Sequence, residues 1–400
     1  MSGRTPRTTL PVLAAALTSG VAGYVVLVLA ARALEPAVNA QFLVFWGALF
    51  AVFGVLVGIT TETTRTVFSS RGSTAATTPV LPVTLGVGAV VVVLVAASGP
   101  VWAPHLLGDS WPGLLAAMVV GVGLFVVHAT LGGAAAGSAE WGSYSLLVGL
   151  ESVMRLALCA VAVALGSQVL GLAWAVARAC GTWLLLSVAS SRQRRLWRVR
   201  AEITPSGHLR RLVAACTASG VSALLLVGYP VLLRATTSDD VFAGAAPIVL
   251  AVSLCRAPLL VPLGAYQNVV VTRVVTHGVR ALVPIVVALG GLTLVGSVLA
   301  WPVGPWVLRL VNPGYHVDGP VFAALVLAAG LVALLTVTGA AAVALDHHAV
   351  YLAGWLVATA VAVAVLLTPW SLETRVVISL LLGPVVGVVV HLVLGHRRIG

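Results

Sequence analysis

The side chains best able to do chemistry in this chain are three arginines and one glutamate near the middle of long apolar segments. Arg155, Arg178 and Arg256 each lie inside such a segment, and Glu151 lies at a similar depth in the one that holds Arg155. An arginine at the centre of a lipid bilayer costs at least about 2.5 kcal/mol, so it is usually paired or enclosed in a polar cavity. Three positive charges against one negative charge predict an internal cavity that favours an anionic ligand.

Glu151 precedes Arg155 by one helical turn, so the two side chains share a face of their helix. One interpretation is a buried structural ion pair. In the other, Arg155 meets a substrate phosphate while Glu151 tunes the cavity or takes up a proton. Arginine suits phosphate because its planar guanidinium donates two parallel hydrogen bonds. Arg178 and Arg256 have no acidic residue within two turns of their own segments, so a partner would have to come from another helix.

His128 is a second candidate for proton coupling, because it lies alone in the middle of an apolar segment. The alternative is a hydrogen-bonded structural histidine.

Three prolines near Arg256, at positions 247, 258 and 262, interrupt one apolar run. Proline removes a backbone donor and kinks a helix, so Pro247, Pro258 and Pro262 are predicted to form a hinge. A static kink is the alternative.

A cytoplasmic gate is predicted where two apolar segments end. Glu62 and Arg65 follow segment 40–61, and the matching place in the second half carries Gln267, Asn268 and Arg273. Local helix capping and anchoring at the membrane surface are the alternative explanation for these polar residues.

The composition indicates a polytopic membrane protein, because 60% of the 400 residues are hydrophobic and 8% are charged. Soluble proteins carry about 25% charged residues. A membrane-spanning helix needs about 20 apolar residues, and the sequence offers a series of such segments. We predict an all-α fold whose membrane-spanning helices lie at 10–31, 40–61, 80–101, 113–136, 143–166, 169–190, 209–233, 241–267, 281–303, 320–344, 347–368 and 374–394.

The arginines predict the orientation of these helices. The net charge of +11 comes from arginines concentrated in alternate short loops. Cytoplasmic loops of membrane proteins are enriched in basic residues, so we expect a multi-pass protein of the cell membrane with both termini in the cytoplasm. The same distribution explains the positive charge without a nucleic-acid partner.

The two halves of the chain look related. The segment Gly133–Glu140 resembles Gly339–Asp346, Gly99-Pro100 matches Gly304-Pro305, and Arg65 matches Arg273, all at nearly the same spacing. The repeat predicts two pseudo-symmetric lobes of six helices with a site between them. We place the N-lobe at 1–190, a basic cytoplasmic linker at 191–208 and the C-lobe at 209–400.

Enzymatic chemistry is not expected. The sequence contains no GxxxxGK[ST], HExxH or GxSxG motif, so it has neither its own ATPase nor a familiar hydrolase site. The cysteines lie in apolar segments without metal-binding spacing, and no metal or cofactor is predicted.

Short patterns in both halves resemble a known family. The stretch from Ala33 to Trp46, continuing through Gly54 and Gly58 to Glu62-Thr-Thr-Arg65, resembles the first hairpin of polysaccharide biosynthesis membrane proteins. These proteins belong to the multidrug/oligosaccharidyl-lipid/polysaccharide (MOP) exporter superfamily. Similar patterns occur at 262–268 with Thr272-Arg273, at Gly304-Pro305-Trp306 and at Asn312–Tyr315. The resemblance implies twelve to fourteen helices, alternating access, and a flippase for a polyprenyl-(pyro)phosphate-linked glycan.

The leading hypothesis is therefore a flippase that carries a lipid-linked anionic saccharide from the inner to the outer leaflet for cell-envelope polysaccharide assembly. Its expected partners are that glycan, membrane lipids and glycosyltransferases. A cation-coupled multidrug exporter of the same superfamily is the first alternative, although it would need more acidic residues at mid-membrane depth. A non-transporting membrane scaffold for a glycan-synthesis complex is the second.

Overall fold

The computed structural model describes residues 6–396. Within that range it leaves aside the side-chain environments of residues 6–10, 185, 187, 189, 192, 261, 264–269, 271 and 272. The described chain is almost entirely helical, and the predicted all-α, multi-pass architecture is confirmed. Helices satisfy all their interior backbone hydrogen bonds internally, which is why apolar segments of this length adopt them inside a bilayer.

The chain divides into two compact units. Unit 1 comprises Met1–Leu34 and Val44–Val231, and unit 2 comprises Glu35–Leu43 and Leu232–Gly400. The first turns of the second helix thus belong to unit 2 and the rest of it to unit 1. The lobe boundaries predicted from the sequence stay a prediction.

Unit 1 is built from helices that follow one another with short connections. They are α1 (Pro6–Ala33), α2 (Pro36–Ser69), α3 (Val80–Leu107), α4 (Trp111–Gly137), α5 (Trp141–Ala164), α6 (Val169–Ala179), α7 (Thr182–Ala189), α8 (Ser191–Arg194), α9 (Pro205–Leu226) and the start of α10 (Tyr229–Ala235). Two two-residue strands, β1 (Thr78–Pro79) and β2 (Arg200–Ala201), pair antiparallel.

Unit 2 contains the remaining helices: α11 (Asp239–Phe242), α12 (Ala246–His277), α13 (Val283–Val311), α14 (Gly319–Ala344), α15 (His348–Leu366) and α16 (Leu372–His396). Each of the twelve predicted apolar segments coincides with one of these helices or with a consecutive pair. Nine stretches of the described chain are long and apolar enough to cross a membrane, and shorter apolar helices accompany them.

Two of the predicted spans are broken by glycine. The sixth splits at Gly181, where an added Cβ would lie 3.1 Å from the carbonyl oxygen of Arg178 and 3.2 Å from Leu124. The seventh splits at Gly228, whose Cβ would lie 2.8 Å from the carbonyl oxygen of Leu224. A Cβ would clash at Gly228 and would be tightly packed at Gly181, so both positions favour glycine.

The two units repeat one another in local detail. Ala139 (φ 53°) follows α4, and Asp346 (φ 62°) follows α14, both in the left-handed region. In each case the next amide returns 2.8 Å to a helix carbonyl, that of Ala135 or that of Ala342. The contacts between helices also correspond. In unit 1, α3 packs against α4, α4 against α6 and α5 against α6. In unit 2, α13 packs against α14, α14 against α16 and α15 against α16. These features support the internal repeat.

The basic linker is tied to the rest of unit 1. Leu196 is buried in an apolar cluster with Trp183 and Leu131. The side chain of Gln193 donates to the hydroxyl of Ser143 at 3.3 Å. Further along, the guanidinium of Arg200 donates to the carbonyl of Thr77 at 3.0 Å. The linker is therefore anchored at both ends against the loops and helices beside it.

Helices α2 and α9 approach each other closely in unit 1. A Cβ on Gly58 would lie 2.4 Å from the backbone nitrogen of Cys216, and one on Gly54 would lie 2.3 Å from Cβ of Ala223. Small residues such as these glycines let two helix backbones pack this closely. This contact fixes the position of the polar residues that follow Gly58 on α2.

Candidate functional site

The buried ion pair predicted on α5 is present. Arg155 Nη1 lies 3.4 Å from Glu151 Oε1, and the two side chains are only 6% and 9% exposed. Their spacing of four residues places them on the same face of α5, one turn apart. The structure thus brings together two of the predicted site residues in one unit.

Arg155 also contacts two aromatic rings of α2. Its guanidinium carbon lies 5.1 Å from the ring centre of Phe50 and 5.8 Å from that of Trp46. Those two rings stack on each other with centroids 4.3 Å apart. An arginine over an aromatic face gains about 0.5–2 kcal/mol, most when it is desolvated. The guanidinium is therefore held between one carboxylate and an aromatic pair.

The aromatic contacts continue from α2 to α4. Phe53 packs edge-on to Phe50, and it stacks on Phe125 with centroids 4.0 Å apart. Phe125 in turn stacks on the ring of His128 at 5.6 Å. His128 is buried, and its Nδ1 has no hydrogen-bond partner among the described residues. The predicted proton-coupling histidine thus lies at the end of the aromatic row that contacts Arg155.

Glu151 has two further polar contacts. The hydroxyl of Ser152 donates to its Oε2 at 3.3 Å, and the thiol of Cys180 lies 4.0 Å from its Oε1. Cys180 occupies the break between α6 and α7, so that break positions the thiol toward the carboxylate. The Nε–H of Arg155 has no partner within the described part of the chain. Buried donors are normally satisfied, so this atom is a donor with unused hydrogen-bonding capacity.

Arg256 is buried in unit 2, on α12. The next residue toward the N-terminus, Cys255, places its thiol 4.0 Å from the carbonyl of Phe322 on α14, so this stretch of α12 lies against α14. Among the buried side chains described in unit 2, Arg256 is the one that carries a fixed charge, and none is an aspartate or a glutamate.

The three prolines near Arg256 differ in position. Pro247 lies in the first turn of α12. A backbone N–H there would have no hydrogen-bond partner within the helix, so the proline removes no helical hydrogen bond. Pro258 and Pro262 lie inside the helix, which continues unbroken past them. The hinge role of the three stays a prediction.

Arg178 is exposed in the last turn of α6, where its charge complements the helix dipole. Its guanidinium carbon lies 4.9 Å from the ring centre of Trp174, one turn earlier. Arg178 therefore differs from Arg155 and Arg256, which are both buried. Its predicted contact with phosphate stays a prediction.

The predicted gate residues fall into two groups. Glu62 is buried and accepts a hydrogen bond from Thr66 at 2.8 Å. Arg65 and Arg273 are exposed. The side chains of Gln267 and Asn268 lie outside the described residues. A gate formed by these five residues stays a prediction.

Sequence reasoning missed the aromatic row. Trp46, Phe50 and Phe53 follow one another at spacings of four and three residues on α2, which places them on one helix face. That spacing was a usable signal, but an all-apolar helix gives no polar contrast to draw attention to it.

The described residues contain no group of His, Cys, Asp and Glu side chains that could hold a metal ion.

The chain has clear sequence relatives, although no family model matches it. It is 40% identical over 385 residues to the uncharacterized protein Rv1510 of Mycobacterium tuberculosis, which covers 94% of this chain and 88% of that protein. It is 38% identical over 387 residues to the uncharacterized protein Rv3630 of the same species, with 95% and 90% covered. The chain belongs to the family of these mycobacterial proteins.

Solved structures show the fold that this family adopts. An inward-facing multidrug resistance MATE family transporter of the MOP superfamily matches with a TM-score of 0.71 at 16% identity, over 94% of each chain. A MOP superfamily transporter from Pyrococcus furiosus matches with a TM-score of 0.70 at 14% identity, over 98% and 95%. The chain therefore has the fold of these MOP superfamily transporters. The predicted kinship with polysaccharide flippases stays a prediction.

Proposed function

We propose that the chain is a membrane transporter that flips a polyprenyl-(pyro)phosphate-linked saccharide from the inner to the outer leaflet by alternating access. Transport is supported by the MOP fold, since the solved structures that share it are transporters. The anionic lipid-linked substrate is supported by the burial of two arginines, a residue type that suits phosphate. The cell membrane, cytoplasmic termini and glycosyltransferase partners belong to the same proposal.

The observation that carries the proposal is the burial of Arg155 and Arg256, one in each unit. In unit 1 Arg155 is paired with Glu151, and in unit 2 Arg256 is the buried side chain with a fixed charge among the described residues. A carrier of phosphate uses buried arginines to contact its substrate, and Arg155 and Arg256 are candidates for that contact.

The surroundings of Arg155 suit a ligand that combines phosphate with an apolar or sugar moiety. Its unpartnered Nε–H can donate to a phosphate oxygen while Nη1 keeps its contact with Glu151. Charge-assisted hydrogen bonds of this kind are about twice as strong as neutral ones. The rings of Trp46 and Phe50 lie beside the guanidinium and are both partly buried, so their remaining surface is flat and apolar next to the anion.

A cation-coupled multidrug exporter is the second candidate. The multidrug resistance transporters that share the fold favour it, as does Glu151, a buried carboxylate that could take up a proton. Against it, the Pyrococcus furiosus transporter of the same fold is described as having a binding pocket of reverse polarity that suggests a different function. The fold is therefore compatible with pockets of either sign.

The proposal is tested with purified protein in liposomes and a fluorescent polyprenyl-phosphate sugar whose outer-leaflet pool is quenched by dithionite. Arg256→Ala should slow flipping by about tenfold or more, which corresponds to about 1.4 kcal/mol of lost interaction. The flipping rate of Arg256→Lys should fall between those of wild type and Arg256→Ala, because lysine keeps the charge but cannot donate two parallel hydrogen bonds.

Arg309→Ala is the matched control, because Arg309 is exposed near the end of α13. It should flip the probe at the wild-type rate. Equal rates for wild type, Arg256→Ala and Arg309→Ala would remove the phosphate-binding role of Arg256. Resistance to cationic drugs that depends on Glu151, without flipping of the probe, would favour the exporter.

A further inference from the structure

Exposed arginines are concentrated in two stretches of unit 1, at 61–79 and 190–213. We call them the basic platform; they are Arg65, Arg71, Arg194, Arg195, Arg198, Arg200, Arg210 and Arg211. The same stretches carry two acidic residues, of which Glu62 is buried and Glu202 is exposed. A surface with so few compensating carboxylates attracts anions.

Hydrogen bonds join the α2–α3 connection to the linker. The hydroxyl of Ser70, directly after α2, accepts from the backbone amide of Glu202 at 2.8 Å. Strands β1 and β2 pair beside this bond, and the guanidinium of Arg200 donates to the carbonyl of Thr77. Arg71, which follows Ser70, is therefore held close to the arginines of the linker.

Helices α2 and α9 bring further arginines to one level. The glycine contacts of α2 with α9 described above run in opposite directions along the two helices, so the helices are antiparallel. Arg65 lies about two turns beyond Gly58, and Arg210 lies about two turns before its contact residue Cys216. Arg65 and Arg210 therefore reach the same end of the helix pair.

Exposed apolar side chains lie among these arginines. Phe68 is 62% exposed, and the guanidinium carbon of Arg71 lies 5.1 Å from the centre of its ring. Leu209 and Val213, on either side of Arg210, are 46% and 51% exposed. Basic and apolar side chains that are exposed together are typical of a surface at the boundary between lipid headgroups and acyl chains.

We propose that the basic platform binds the phosphate headgroups of anionic phospholipids. A phospholipid supplies both a phosphate for the guanidinium groups and hydrocarbon for side chains such as Phe68, whereas an acidic peptide supplies only the negative charge. Clusters of basic residues beside membrane-spanning helices attract anionic headgroups, because their separate weak contributions add. The proposal uses neither Arg155 nor Arg256 and does not rest on the proposed function.

Lipid binding is measured by native mass spectrometry of the purified full chain in a neutral detergent, titrated with phosphatidylglycerol or with phosphatidylcholine. Wild type should bind phosphatidylglycerol in preference, and added salt should weaken this binding by screening the charges. Arg194→Gln/Arg195→Gln/Arg198→Gln removes three exposed guanidinium groups. Its affinity for phosphatidylglycerol should fall about tenfold or more.

Arg273→Gln/Arg280→Gln/Arg309→Gln is the matched control, because these exposed arginines of unit 2 give the same change in net charge. It should bind phosphatidylglycerol like wild type. Arg210→Gln/Arg211→Gln changes a different element of the basic platform and should also weaken binding. Melting temperatures in detergent without lipid separate a loss of lipid binding from a loss of folding.

Equal affinity of wild type for the two lipids would overturn the proposal, as would an equal loss of binding in the platform variants and the control. Binding of polyglutamate without a preference for phosphatidylglycerol would assign the surface to an acidic protein instead. Inorganic phosphate should not displace the lipid, because it has no acyl chains to contact Phe68 and Leu209; displacement would contradict the proposal. The titration needs no transport substrate, so its result is independent of the flipping assay.

Discussion

The ion pair of Arg155 and Glu151 offers a way to separate a structural role from a role in transport. Glu151→Leu removes the carboxylate and leaves the buried guanidinium with its two aromatic contacts. Breaking a buried pair by deleting one partner costs about 3–5 kcal/mol. The contacts with Phe50 and Trp46 are present in both proteins, so they cancel in the difference and do not offset the loss.

Replacing both partners has a different expected effect. In Glu151→Leu/Arg155→Met no charge remains at this position of α5, and such replacements by apolar side chains of similar size are commonly neutral or stabilising. The free energy of unfolding of the double variant should therefore lie within about 1 kcal/mol of the wild-type value. Glu151→Leu alone should be several kcal/mol less stable than wild type. The difference between the two variants is the energetic signature of the uncompensated arginine.

The assay combines thermal unfolding in detergent with flipping in liposomes. If Arg155 binds substrate phosphate, the double variant should be as stable as wild type and yet flip the polyprenyl-phosphate probe about tenfold more slowly. A double variant that is stable and flips the probe at the wild-type rate would show that the pair is structural. A Glu151→Leu variant as stable as wild type would contradict the burial argument itself.

Two further predictions concern close packing. Gly58→Ala places a methyl group 2.4 Å from the Cys216 backbone and should destabilise the protein by about 1–3 kcal/mol in thermal unfolding. Gly86→Ala, whose methyl group meets nothing within 4 Å, should leave stability unchanged or raise it. Gly354→Ala should also destabilise the protein, because its methyl group would lie 2.1 Å from the His391 ring. That ring forms a hydrogen bond with Thr338 at 2.9 Å. A melting temperature equal to that of wild type in Gly58→Ala or Gly354→Ala would contradict the packing described for that glycine.

The helices could be predicted from the sequence because apolar segments of membrane-spanning length have few other structures open to them in a bilayer. The breaks at Gly181 and Gly228 could not, since glycine is common in membrane helices. The close contacts at each break, with Arg178 and Leu124 or with Leu224, appear only in the structure. The linker shows the same limit. Its charge predicted a cytoplasmic position, but the burial of Leu196 against Trp183 depends on tertiary packing.

The candidate site was predictable in part for a similar reason. Charged residues stand out in an apolar sequence, so Arg155, Glu151 and Arg256 were found, and all three are buried. Arg178 has the same sequence signature but is exposed, because the face that a residue presents on an all-apolar helix depends on its neighbours.

The most direct test of the central claim is the substrate charge that wild-type protein prefers. Liposomes would carry two fluorescent lipids with the same polyprenyl chain and sugar, one joined through phosphate and the other through an uncharged ether. The buried arginines predict that the phosphate-linked lipid flips about tenfold faster or more than the ether-linked one. Equal rates, or faster movement of the uncharged lipid, would contradict the account.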